Sequence, residues 1–159
     1  MYGGKMESLL QFLTKEIRVL MVAAMPIIEL RGAIPVGLSY GMSIYHAFLL
    51  SYFGSLIPVP FIVFAFRPVT KWLKKGLLRP FVEKISDRAL LKGQKVQKYG
   101  FIGLIILVAI PLPGTGVYTG TLAATLLDMR FKWILPAVMI GNLIAGIIVT
   151  FITHSIIAL

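Results

Sequence analysis

Met25-Pro-Ile-Ile-Glu-Leu-Arg-Gly-Ala-Ile-Pro35 places two opposite charges, Glu29 and Arg31, inside a long apolar run. The ten residues before Glu29 carry no charge, and none follows Arg31 until Arg67. Ionisable groups at membrane depth are costly and persist where they face a cavity, a partner or a substrate. The pair is therefore the first candidate site.

The rest of the chain supports the membrane setting. Of its 159 residues, 58% are hydrophobic, against roughly 45–50% in a soluble globule. Three uncharged runs, 32–66, 99–127 and 133–159 with few exceptions, each exceed the roughly 20 apolar residues a spanning helix needs. The reading is an all-α integral membrane protein forming one membrane domain, 1–159. Lys15, Glu16 and Arg18 interrupt what would be the apolar part of a cleavable signal peptide. With no cysteine, disulfides, thiol catalysis and cysteine-ligated metals are excluded.

The net charge of +10 is concentrated in one segment. Residues 67–98 hold ten basic residues against Glu83 and Asp87, which is eight of the ten net charges. Because this segment lies between two membrane runs, it reads as a cytoplasmic helical loop held against anionic lipid headgroups. A nucleic-acid partner is not expected. The long apolar runs make it a multi-pass membrane protein.

Residues 6–20 carry Met6, Leu9, Leu10, Leu13, Ile17 and Leu20 at helical spacing, which predicts an interfacial amphipathic helix. Residues 21–41 are apolar but punctuated by Pro26, Gly32, Pro35, Gly37 and Gly41. Residues 44–66 form a cleaner span ending at Arg67-Pro68, with Pro58 and Pro60 expected to bend it. Residues 81–97 suit a surface helix. Residues 100–127 are broken again, at Ile110-Pro-Leu-Pro-Gly-Thr-Gly116. Asp128, Arg130 and Lys132 form a charged turn before a last span over 133–157.

The two broken-then-clean halves match without gaps at an offset of 87. Pro26 falls on Pro113, Met42 on Met129, Gly54-Ser-Leu-Ile57 on Gly141-Asn-Leu-Ile144, and Phe64 on Phe151. Repeat 1 covers about 20–66, a basic linker 67–98, and repeat 2 about 100–157. If each broken segment is a re-entrant hairpin, each half crosses once and the repeat is inverted, as in many transporters. The alternative makes 8–28 a true span and leaves Glu29 at an interface.

Broken backbone at membrane depth is tolerated where protein or a water-filled cavity covers it. Two such breaks would form a site from half-helix ends. The candidate residues are Glu29, Arg31, Gly32 and Pro35 at the first break, and Pro111, Pro113, Gly114, Thr115, Gly116 and Tyr118 at the second. Thr115, Tyr118 and Thr119 can donate to a ligand. Asn142, with Ser55 as its repeat mate, is the other polar group at depth. Glu29 is either a proton-coupling carboxyl, since burial favours its neutral form, or a structural partner of Arg31. Arg31 could equally hold a phosphate. His46 and His154 do not match in the repeat, and no metal-ligand spacing surrounds them. No nucleophile–base pair supports an enzyme, and no cofactor is expected.

Pro26-Ile-Ile-Glu-Leu-Arg-Gly-Ala-Ile-Pro35, Lys95-Val-Gln-Lys-Tyr-Gly100 and Ala109-Ile-Pro-Leu-Pro-Gly-Thr-Gly116 resemble the prokaryotic family named putative small multidrug export protein. The resemblance covers roughly residues 18–155. It implies a distant relation to the DedA/VTT membrane proteins, which are described with two facing re-entrant hairpins and implicated in proton-driven lipid movement, undecaprenyl phosphate included. It aligns Glu29 with an acidic residue after a proline in the first DedA hairpin. The second DedA hairpin carries arginines around a Pro-Gly, where this chain has Thr115, Gly116 and Val117, so Arg31 would have to substitute. The implied function is a transporter or lipid translocase in the prokaryotic plasma membrane, with its substrate site between the two hairpins. Export of cationic amphiphiles and a non-transporting scaffold are the alternatives. A homodimer would cover the hairpin surface.

Overall fold

The structure, a computed structural model, describes residues 14–73, 84, 87, 91, 94–112 and 115–157. All regular structure among them is helical. Residues 14–23 belong to α1. Then come α2 (Glu29–Ser39), α3 (Ile44–Leu56), α4 (Pro58–Leu73), α5 (Gln94–Ala109), α6 (Val117–Leu126) and α7 (Phe131–Ile157).

Two stretches are long and apolar enough to cross a membrane, Ile44–Phe66 and Phe131–Ile156. Only 28% and 44% of their most apolar windows are buried. The core helix of a soluble protein would be mostly covered, so these faces suit lipid. By contrast α2 has 11 residues and α6 has 10. At about 1.5 Å per residue each spans about 15 Å, half the hydrocarbon core. Neither crosses alone.

The breaks are fewer than the glycines and prolines suggest. α1 stops at residue 23, and the chain turns through 24–28. α2 then runs unbroken through Gly32, Pro35 and Gly37. Its two glycines serve packing instead. The Ile28 side chain occupies the place a Gly32 side chain would take. A Cβ on Gly37 would lie 2.8 Å from the Ala47 Cβ on α3. Pro35 is exposed on the outer side. The first span is broken at Ile57, not merely bent, because Pro58 and Pro60 remove two donors from a single turn. Its helix also passes Arg67-Pro68 and ends at Leu73. One missing donor does not end a helix whose neighbouring bonds persist.

Of the expected amphipathic helix 6–20, only 14–20 lie within the described residues, and they are helical. Most of the basic segment lies outside them. Lys84, Asp87 and Leu91 are helical and exposed. At Gly100 (φ 54°, ψ −121°) α5 kinks, separating the Lys-rich turn from the apolar Tyr99–Ala109 part.

The local backbone repeats at the 87-residue offset. After α2, the N–H groups of Tyr40, Gly41 and Met42 donate to the carbonyls of Val36, Leu38 and Gly37. After α6, those of Leu127, Asp128 and Met129 donate to Ala123, Thr125 and Ala124. Both are Schellman-type ends, with Gly41 (φ 76°) and Asp128 (φ 59°) as the left-handed residue. Gly54 and Gly141 also match in use. A Cβ on Gly54 would sit 3.0 Å from the Leu20 carbonyl oxygen and 2.8 Å from the Ala23 Cβ. On Gly141 it would meet the Ile105 oxygen at 2.8 Å and the Val108 Cβ at 2.7 Å. Each span thus seats a glycine on the helix that precedes its own break. Such close approach is how helices associate in lipid, where apolar transfer provides little drive.

Packing divides the chain into two units, 1–55 with 146–159, and 56–145. In the first, Val19, Ala23 and Ala33 are buried beneath Val22, Val36, Met42 and Leu50. At its edge the Glu16 carboxylate reaches His46 Nε2 at 2.7 Å. In the same unit Phe48 abuts Gly146, so α3 packs on the last part of α7. In the second, Val59, Leu104, Val108, Val117, Ile134 and Val138 form the core. Phe64 of α4 meets Phe131 at the start of α7, with ring centroids 5.1 Å apart.

Candidate functional site

Both helix–break–helix segments centre on a residue with unusual backbone. α2 begins at Glu29, whose φ is +51°. α6 begins just after Gly116, whose φ is +136°. The two positions are 87 apart, so they correspond in the repeat. In the second unit glycine takes its own conformation, φ 136° and ψ −160°, without a Cβ penalty. In the first a glutamate holds φ 51°, at a cost of about 1–3 kcal/mol. The glutamate side chain must therefore contribute something that glycine would not.

Glu29 is 6% exposed, with Leu30 and Ile34 buried beside it. Its N–H donates to the Met25 carbonyl at 3.1 Å, which closes the turn through 24–28. The carboxyl stands in the first turn of α2, where the helix end attracts negative charge. Arg31 is half-buried and feels the charge of Glu29 directly. Two residues apart on a regular helix do not face each other. Glu29 itself, at φ 51°, departs from regular helix backbone. The arrangement is a buried acid, balanced by one guanidinium and one helix end, at a break in the chain. It can hold and release a proton, or exchange its partner for a cation.

The second break is tied from within. The Thr115 hydroxyl lies 2.8 Å from the carbonyl oxygens of both Ile110 and Leu112, and its N–H donates to Leu112 at 3.1 Å. Its one proton is thus engaged within the loop. Replacing Thr115 with Val removes the hydroxyl's bonds and keeps the shape and the backbone bond. It is expected to cost about 1–2 kcal/mol, read as a lower melting temperature and faster amide exchange at Gly116 and Val117. Gly116 is buried, and Tyr118, Thr119 and Pro111 are half-buried. Pro113 and Gly114 lie outside the described residues. Asn142 is 3% exposed on α7, beside the Gly141 contact with α5.

Glu29, Arg31 and Gly32 therefore lie together in the first unit, with Pro35 one turn away and exposed. Thr115, Gly116 and Tyr118 lie together in the second. Among the described residues no group of three or more His, Cys, Asp or Glu could hold a metal. Sequence reasoning missed the Glu16–His46 pair, because its members lie on different helices. It also missed that Glu29 and Gly116 correspond, although the 87-residue offset contained that signal.

Residues 29–148 match the family described as "Putative small multi-drug export protein". No curated protein and no solved structure matches the chain. The relation to DedA/VTT proteins is not shown by these matches.

Proposed function

The chain belongs to the small multi-drug export family, and from that premise we propose that it is a transporter exporting amphiphilic small molecules, with Glu29 as its proton-coupling carboxyl. The observation that carries this is a buried glutamate held at positive φ at a break in the chain. Strain of this kind, held against an available cheaper solution, marks a functional position. Export against a gradient needs a group whose charge changes during the cycle. Glu29, with Arg31 as the counter-charge it can release, meets that need. Both breaks act on the same substrate in this reading, as re-entrant hairpins of an inverted repeat. The basic 67–98 segment faces the cytoplasm and anionic headgroups.

The test is transport by the full chain in proteoliposomes with an imposed pH gradient. Ethidium serves as the cationic amphiphile and a fluorescent phospholipid as the comparison. Gradient-driven ethidium movement supports the proposal. Movement of the lipid alone would replace it with a lipid translocase. Movement of neither would leave a scaffold role.

A further inference from the structure

Three helices meet at one membrane edge, all within the second unit. Phe131 opens the span Phe131–Ile156, and Phe64 stands near the end of Ile44–Phe66. Their ring centroids are 5.1 Å apart. Phe101, near the start of the apolar part of α5, meets Trp133 edge to face at 5.8 Å. Phe131 and Trp133 share the first turn of α7. All three helices therefore pass from apolar to basic sequence at the same level. Arg67 follows Phe64 on α4, Lys98 precedes Phe101 across the Gly100 kink, and Arg130 and Lys132 stand at the start of α7.

This corner offers more than the general pull of basic sequence on a membrane. Trp133 is half-exposed, yet its ring is held. Phe101 packs against it, and the Lys132 ammonium lies 5.9 Å from its centroid. A ring face attracts an ammonium without using up its three N–H donors. The Arg130 carbonyl accepts the N–H groups of both Trp133 and Ile134, at 2.9 and 3.1 Å, which ties Arg130 to the first turn. Both cations are exposed. Among the described residues neither head group forms a hydrogen bond or an ion pair. Asp128 is the only acid in the turn. Two cations thus stand over a fixed indole at the mouth of a span, the level at which tryptophan meets lipid headgroups.

We propose that Arg130, Lys132 and Trp133 bind the headgroup of one anionic phospholipid. The guanidinium and the ammonium hold its phosphodiester, whose geometry the planar guanidinium matches. The indole lies at the level of its glycerol. An acyl chain follows the face of α7 that continues, two turns on, to exposed Ile140. Charge selects the lipid. Arg130 and Lys132 outnumber Asp128, and the neighbouring helices add Arg67 and Lys98 to the same level. Phosphatidylglycerol brings a net negative charge to this corner, whereas phosphatidylcholine brings one more cation. The site uses residues of the second unit alone, and it does not depend on the export reading.

The experiment reads Trp133 directly. The chain has two tryptophans, Trp72 and Trp133, so Trp72→Phe leaves Trp133 as the sole emitter. The full chain with this substitution is reconstituted in phosphatidylcholine vesicles. Rising shares of a lipid brominated in its acyl chains are then added, either phosphatidylglycerol or phosphatidylcholine, since bromine quenches an indole on contact. Phosphatidylglycerol is expected to quench at about a three- to tenfold lower share, as two cations at a membrane surface favour an anionic lipid. Arg130→Gln combined with Lys132→Gln should bring that ratio to one, and Lys132→Arg should preserve it. If the double variant does not stay monodisperse, Lys132→Gln alone decides, by lowering the ratio. Equal quenching by the two lipids would overturn the site. A preference that survives the double substitution would also overturn it, and assign the lipid to the basic 67–98 run. Loss of the preference on adding soluble glycerol 3-phosphate would overturn the lipid assignment in favour of a free phosphate.

Discussion

Glu29→Gln is expected to abolish the gradient dependence of transport, with at least a tenfold loss of rate, in a chain that still folds. General acid–base groups typically contribute about 10²–10⁴-fold to the steps they serve, and a proton carrier with no proton to exchange retains only leak. Glu29→Gly is the sharper variant. It gives the first unit the residue the second already has at Gly116. Both substitutions remove the carboxylate and leave Arg31 without its counter-charge, so that cost cancels between them. The glycine variant sheds the penalty of φ +51° but also empties the space the buried side chain fills, so its melting temperature should stay within about 2–4 °C of the glutamine variant's. The two variants should be equally inactive. Transport surviving in Glu29→Gly would make the glutamate a structural residue and remove the basis for proton coupling.

Gly54→Ala and Gly141→Ala should each destabilise the protein by about 1–3 kcal/mol, as overpacking does. The added methyl would lie 3.0 Å from a backbone oxygen at Gly54 and 2.8 Å at Gly141. A backbone carbonyl cannot swing aside as a side-chain tip can, so the helices must separate. Melting curves in detergent that rank Gly141→Ala level with wild type would refute the close packing of α7 on α5.

The membrane class, the two breaks and the 87-residue offset could be read from residue types alone. Uncharged runs of that length have few other uses, and the chain is non-helical at Pro26, Pro111, Thr115 and Gly116. The offset carried more than it first offered, since it pairs Gly41 with Asp128 and Glu29 with Gly116 as left-handed residues. Other features needed coordinates. A glycine that breaks a helix and one that admits a neighbour look the same in sequence. Only the Ala47 contact shows that Gly37 belongs to the second kind. Thr115 read as a donor to a ligand because its loop carbonyls could not be located.

The division of the chain bears on how it is made. The first unit begins with α1 but is closed by 146–159, which the ribosome delivers only after all of 56–145. Phe48 and Leu30 therefore wait for Gly146 through most of synthesis. Cutting the gene within the basic segment would yield two fragments, neither holding all of either unit. Co-expressed, they should accumulate together or be degraded together. The early helices must therefore avoid other pairings until the last one emerges.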